Sequence, residues 1–257
     1  MPDQGEERSW MSLEKYAARY ASSLAIFSLL LTVFIPVEAQ VPEYDPASTA
    51  GIMNAQGSPR SALDDQRVFL FGDSQVAGAP GAALMHHITA AGATYYARAG
   101  EPGWGVHQWD RRRYELNRLL RQHHPTLVVI ILGGNDWERV RRANYSPRLQ
   151  NFWNFVIERT LRHAPHASLA SVCWAGPARM TGPRAAELQP GRDLVAAAIR
   201  NVVGTEHFVR SNDITGTFGR SRDGLHFTYG GANDWMWQMT PRLASCVERQ
   251  HPNIRDL

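Results

Sequence analysis

Arg67-Val68-Phe69-Leu70-Phe71-Gly72-Asp73-Ser74 is the stretch on which the reading of this 257-residue chain turns. Four successive apolar residues, two of them aromatic and one β-branched, form a strand buried on both faces. Gly72 ends it in a turn, and the residues from Ser74 onward are compatible with a helix. A serine at such a junction is presented to a ligand rather than buried in a core. Taken singly, the tripeptide Gly72-Asp73-Ser74 is an ordinary helix cap, so its meaning depends on the company it keeps along the chain.

Outward from this strand, apolar runs and helical periodicities alternate. A helix over Ala82 to Ala91, stopped by Gly92, precedes a strand over Thr94 to Ala97. A helix from Gln108 to Gln122 leads into Thr126 to Leu132, apolar after its first residue as a covered central parallel strand should be. A helix from Pro147 to His163 and a strand from Ala167 to Trp174 come next, then a Pro/Gly/Arg-rich loop over Ala175 to Gly191. A helix over Arg192 to Val203, a short strand over His207 to Arg210 and a helix over Ala232 to Gln250 complete the chain. Five strands separated by helices predict a three-layer α/β/α sandwich around a mostly parallel sheet. Ligand sites in such sheets lie beyond the carboxyl ends of the strands, where Ser74, Gly103 and Asn135 all fall.

Two further segments supply what Ser74 lacks. A serine hydroxyl needs a base to take its proton and a group to hold that base in one tautomer. Asp223-Gly224-Leu225-His226 carries both, with a glycine that lets the carboxylate fold back on the imidazole. The oxyanion formed on attack needs N–H donors: the Ser74 backbone, a glycine-turn backbone at Gly103 or Gly105, and the Asn135 amide in Leu132-Gly133-Gly134-Asn135-Asp136.

In this order, and over Arg67 to Gln238, these segments resemble the four sequence blocks of the SGNH hydrolase superfamily, also called GDSL-type esterases and lipases. The resemblance implies a flavodoxin-like sheet, Ser74 as nucleophile, His226 and Asp223 as the rest of a triad, and Gly103 with Asn135 in the oxyanion hole. It implies no cofactor. The chain departs from the pattern at Gln75-Val76, where lipase-like members have a Leu-containing continuation, and at Arg98, where the second block usually has asparagine. The latter leaves the choice between Gly103 and Gly105 open. The family's reactions are hydrolysis of carboxylic esters on small molecules, glycans and lipids and, in some exported members, acyl transfer to glycans.

Composition narrows the classes. No CxxC, HExxH or Cys/His cluster is present, which argues against a metal site, and neither a Gly-Lys-Ser/Thr nor a GxGxxG occurs to cradle a nucleotide. The net charge is only +3, and Lys15 is the sole lysine. The Arg111-Arg112-Arg113 cluster reads as a solvated helix face, so no nucleic-acid partner is expected. Residues 20–37 are uncharged and strongly apolar, and Val37 and Ala39 suit cleavage before Gln40. We therefore expect a signal peptide or membrane anchor over 1–39, a linker over 40–62, a hydrolase domain over 63–257, and export to the periplasm or beyond. The two cysteines, Cys173 and Cys246, are either a disulfide or two buried thiols. Trp104, Trp137, Trp174, Trp235 and Trp237 are divided between core packing and sugar-stacking platforms, and the last two cannot share one helix face. The loop over 175–191, with Met180 and Leu188 as its only large aliphatic residues, is a poor lid for a fatty chain. The expected substrate is accordingly a short-acyl ester, acetyl above all, on a small molecule or a glycan. An acyltransferase with the same triad and a binding-only descendant are the alternatives, and the sequence sets no oligomeric state.

Overall fold

The apolar run that opens the domain forms strand β1 (Arg67–Gly72), and four more strands lie parallel to it. The computed structural model describes residues 61–214 and 218–254. The expected leader and nearly all of the expected linker lie outside the described residues. Ala62, read as the end of the linker, is buried with Leu63 against the core.

After β1 come the short helix α1 (Ser74–Ala77) and helix α2 (Ala79–Ala90), with Pro80 in its first turn, where a missing N–H does no harm. Strand β2 (Tyr95–Gly100), helices α3 (Val106–Arg111) and α4 (Arg113–His123), and strand β3 (Leu127–Ile131) succeed them. Then come α5 (Tyr145–His163), β4 (Ser171–Ala175), α6 (Ala185–Val203), β5 (Phe208–Val209) and α7 (Tyr229–Gln250). The strand order is β2-β1-β3-β4-β5, the flavodoxin-like arrangement. The sheet is five-stranded and parallel throughout, with helices on both faces, as expected. The order reverses between β1 and β3, so the crevice beyond their carboxyl ends is the place this topology offers a ligand.

Strand alternation divides the core. Val68, Leu70, Leu127, Val129 and Ile131 face one way, against α2 and α7. Phe69, Phe71, Val128, Ile130 and Trp174 face the other, against residues of α3 to α6. A disulfide joins Cys173 of β4 to Cys246 of α7, closing a sequence separation of 73 residues and tying the last helix to the sheet. Among the described residues no helix is long and apolar enough to cross a membrane.

Several predicted boundaries move, for physical reasons. The helix expected over 108–122 is two helices that meet at Arg112. Trp109 must face the sheet, where its Nε1–H donates to the Gly72 carbonyl at 3.0 Å, whereas α4 buries Leu116 and Leu120. The strand expected from Ala167 begins at Ser171, because β3 starts at Leu127 and Ser171 is its register partner; Ala167–Leu169 form a 3-10 turn. The largest change is at 175–191, where α6 begins at Ala185 and carries Pro190 inside it. Seven of the seventeen residues of the expected loop, 185–191, are therefore helix. The final helix starts at Tyr229, capped by Thr228, whose Oγ1 accepts the Gly231 N–H at 3.1 Å. Of the tryptophans, Trp109, Trp153, Trp174 and Trp235 are core, and Trp237 is 52 % exposed, so Trp235 and Trp237 face opposite ways.

Candidate active site

Ser74 stands at the first position of α1, where β1 meets the crevice. Two features fix it there. Gly72 lies so close to β3 that a Cβ would sit 1.9 Å from the Ile131 carbonyl oxygen, so only glycine lets the strand end at this spot. Asp73 caps α1, its Oδ1 accepting the Gln75 N–H at 3.0 Å. Asp73 is itself buried, and desolvation pushes its pKa up from 3.8 to about 6, against the opposing pull of the Gln75 N–H and nearby Arg192.

The loop before α7 brings the base. His226 Nδ1 lies 2.6 Å from Asp223 Oδ2, and His226 Nε2 lies 2.9 Å from Ser74 Oγ, across 152 positions of sequence. Desolvation by itself would raise the Asp223 carboxyl. Hydrogen bonds from the Ser221 hydroxyl, the His226 ring and the His226 and Leu225 backbone N–H groups outweigh it and hold the carboxyl well below the usual carboxylate range. An ionised carboxylate only accepts, so Nδ1 carries the imidazole proton and Nε2 is left to accept from Ser74. The loop needs Gly224: its φ is +67°, and a Cβ there would meet the Thr181 carbonyl oxygen at 1.7 Å.

Two side chains that the sequence did not mark as functional hold this loop against the nucleophile. Arg220 donates to the Leu225 carbonyl at 2.7 Å and to the Arg179 carbonyl at 2.6 Å, and its guanidinium lies 3.3 Å from the centre of the Phe227 ring. Gln75, noted in the sequence only as a departure from the family pattern, donates through Nε2 to the same Leu225 carbonyl at 3.2 Å. Arg220 was invisible among so many arginines; at Gln75, a polar residue directly after the serine was the available signal.

The remaining predicted residues follow β2 and β3. Asn135 comes after β3 and donates through Nδ2 to the Trp104 carbonyl at 2.9 Å, which ties its amide to the turn that carries Gly103. Gly103 has φ +77° and an exposed backbone, and its N–H and that of Ser74 have no hydrogen-bond partner among the described residues. Gly105 is differently engaged: its N–H donates to Gln108 Oε1 at 2.9 Å and it caps α3. Of the two glycines, Gly103 is the one with a donor to spare. Asp136 is fully buried behind them, its Oδ2 accepting the Val106 N–H at 2.9 Å, and burial pushes its carboxyl up.

Beside Ser74 is a small space bounded by Gln75, Leu132, Asn135, Pro177, Ala178 and Leu225. Its volume of about 10 Å³ is room for one water-sized group. Gly103 does not border it. Buried Arg192 braces its wall, donating to the carbonyls of Gly134 at 2.9 Å and Ala178 at 2.7 Å. The triad side opens to solvent, His226 and Asp223 being 44 % and 48 % exposed. Among the described residues, no group of His, Cys, Asp or Glu side chains could hold a metal ion.

Comparison with known proteins bears on the family and the fold. The sequence profile of the GDSL-like Lipase/Acylhydrolase family matches residues 70–233. Among solved structures the chain is similar to LAE5, an alpha/beta hydrolase enzyme from the metagenome of Lake Arreo, Spain, at 14 % identity and a TM-score of 0.51, covering 70 % of this chain and 97 % of that one. It is similar to Axe2, an acetylxylan esterase from Geobacillus stearothermophilus, at 13 % identity and a TM-score of 0.51, covering 72 % and 96 %. It is also similar to TesA, at 21 % identity and a TM-score of 0.51, covering 68 % and 97 %. At such identities the likeness is one of fold. No curated protein matches the chain.

Proposed function

We propose that this chain, which belongs to the GDSL-like lipase/acylhydrolase family and is a carboxylic ester hydrolase, removes short acyl groups, acetyl above all, from a glycan outside the cytoplasm. The observation that carries the reading is the hydrogen-bonded line from Asp223 through His226 to Ser74, ending beside a space of about 10 Å³.

In the first half-reaction Ser74 Oγ forms a bond to the ester carbonyl carbon while His226 Nε2 takes the hydroxyl proton. Asp223 holds the Nδ1–H and balances the imidazolium. The oxyanion is met by N–H groups of the Ser74 and Gly103 backbones and the Asn135 amide. The C–O bond to the alcohol breaks, His226 returns its proton to the leaving oxygen, and an acyl-Ser74 remains. Water then attacks, giving its proton to His226. The Ser74 Oγ–C bond breaks, that proton returns to Oγ, and the carboxylic acid leaves.

The space by Ser74 supports a small acyl group, because its volume of about 10 Å³ suits a group no larger than a methyl. Axe2 acts on acetylxylan, and the same substrate type suits an open site that leaves the rest of a polymer in solvent. The disulfide supports an oxidising compartment, consistent with the apolar segment at 20–37. A ladder of nitrophenyl esters tests the acyl size. In a preformed apolar tunnel each added methylene would contribute about 0.8 kcal/mol, roughly a fourfold gain in kcat/KM. Without the tunnel, kcat/KM should peak at acetyl or propionyl and fall by octanoyl. A steady rise to octanoyl would reverse the assignment to a lipase.

A further inference from the structure

Beyond the edge strand β5 the surface carries two adjoining clefts, about 550 and 460 Å³, that share Arg200, Phe208, Arg210 and Asp213. Their cations come from separate parts of the chain: Arg179 from the segment after β4, Arg200 from α6, Arg210 from the end of β5, and Arg242 and Arg249 from α7. Two carboxylates, Asp193 and Asp213, are the only acidic groups among the lining residues. Both are engaged: Asp193 accepts from Gln189 Nε2 at 2.7 Å, and Asp213 pairs with Arg242 at 2.7 Å. Arg249 donates to the Phe208 carbonyl at 3.2 Å. Arg200 and Arg210 have no hydrogen bond or ion pair through their side chains among the described residues. Elsewhere Arg113, Arg118, Arg162 and Arg184 pair with nearby acids, whereas Arg200 and Arg210 line the same two clefts from separate elements, and the one acid lining both clefts with them, Asp213, is paired with Arg242.

Guanidinium forks with spare donors recognise carboxylates and phosphates. The clefts are of ligand-site size and share four lining residues, which leaves room for more than a single small ion. They also adjoin the acyl site. Ala178 borders the space beside Ser74, and the next residue, Arg179, lines the cleft. Gln189, which lines the cleft as well, accepts the Met180 N–H at 2.7 Å and fixes the segment between the two sites.

We propose that this cleft holds the anionic groups of a polysaccharide, carboxylates or phosphodiesters, through Arg200 and Arg210, so that the ester at Ser74 belongs to an acylated polyanionic glycan. This rests on the short-acyl glycan reading of Ser74 and narrows it from glycans in general to anionic ones.

The test compares the wild-type full chain with the double variant Arg200→Gln/Arg210→Gln. Binding of non-esterified polygalacturonate and of inorganic polyphosphate is measured by affinity electrophoresis at low and high salt, alongside turnover of nitrophenyl acetate, acetylated xylan and acetylated polygalacturonate. One polyanion should bind wild type, more weakly as salt screens the contact, and about tenfold more weakly to the variant. Polygalacturonate as the better binder identifies a uronate, polyphosphate a phosphodiester. On acetylated polygalacturonate the variant should lose about tenfold in kcat/KM through KM if the ligand is a uronate, with nitrophenyl acetate and acetylated xylan within about twofold of wild type. Polyanion binding that is absent, or equal in wild type and variant, overturns the cleft. Inert nitrophenyl acetate with variant-sensitive polyanion binding would sink the esterase reading instead and leave the cleft standing, so the two failures are told apart.

Discussion

Replacing Arg220 with alanine should slow the enzyme without unfolding it. The guanidinium makes two charge-assisted hydrogen bonds, at 2.7 Å to Leu225 and 2.6 Å to Arg179, and covers the Phe227 ring. Each such bond is worth about 1.5–3 kcal/mol and the ring contact about 1 kcal/mol. Not all of this is lost. The Leu225 carbonyl keeps Gln75 as a donor, and water reaches the exposed Arg179 carbonyl once the guanidinium is gone. A net loss of about 2 kcal/mol in holding the His226 loop sets a ceiling of about thirtyfold on the fall in kcat. KM for nitrophenyl acetate should change little, because Arg220 does not line the acyl space. The rate at which a fluorophosphonate labels Ser74 should fall by the same factor as kcat, since both need His226 in place. Arg220→Lys, which can restore one bond, should lie between. Turnover of Arg220→Ala within twofold of wild type would refute the idea that this side chain holds the catalytic loop.

Asp73→Asn should change how stability depends on pH. An acid whose pKa rises on folding, here from 3.8 to about 6, makes the folded state the better proton binder, so its contribution is present below pH 3.8 and lost as pH climbs through about 6. That rise corresponds to about 3 kcal/mol, so from pH 4 to pH 7.5 urea unfolding should show the variant gaining on wild type by up to that amount. A constant offset would place the effect elsewhere. Breaking the disulfide as Cys173→Ser/Cys246→Ser should lower unfolding free energy by about 2–4 kcal/mol, given the long loop it closes. Unchanged stability would mean the bond adds no constraint. As a test of export, protein recovered from outside the cytoplasm should have its amino terminus near Gln40, and recovery of residues 20–37 in a membrane fraction would favour an anchor.

The fold is legible in the sequence because its signals are local and redundant. An apolar run such as Leu127 to Ile131 has one comfortable place, a covered parallel strand, and the spacing between such runs forces crossover helices. Ser74, Asn135 and the Asp223–His226 pair are legible because each block joins a strand end or a glycine turn to a side chain with definite chemistry. What stays hidden depends on tertiary contact. Nothing local marks Arg220 as the residue that reaches Leu225 and Arg179, or Arg192 as the brace behind Gly134 and Ala178. The choice between Gly103 and Gly105 turns on a single hydrogen bond, the one Gln108 takes from Gly105. The start of helix α6 escapes the sequence because Pro190 suggests a loop, whereas Leu188 on its buried face draws the segment onto the domain.

The central claim is that Ser74 becomes acylated with His226 as its base, and one measurement addresses it most directly. The protein is treated with a fluorophosphonate, digested, and the adduct located by mass spectrometry in wild type, Ser74→Ala and His226→Ala. The account predicts a single stoichiometric adduct on Ser74, absent from Ser74→Ala, strongly slowed in His226→Ala, and matched by a fall in esterase turnover of about a million-fold when Ser74 is lost. An adduct on another residue, or Ser74→Ala turnover within tenfold of wild type, would contradict it.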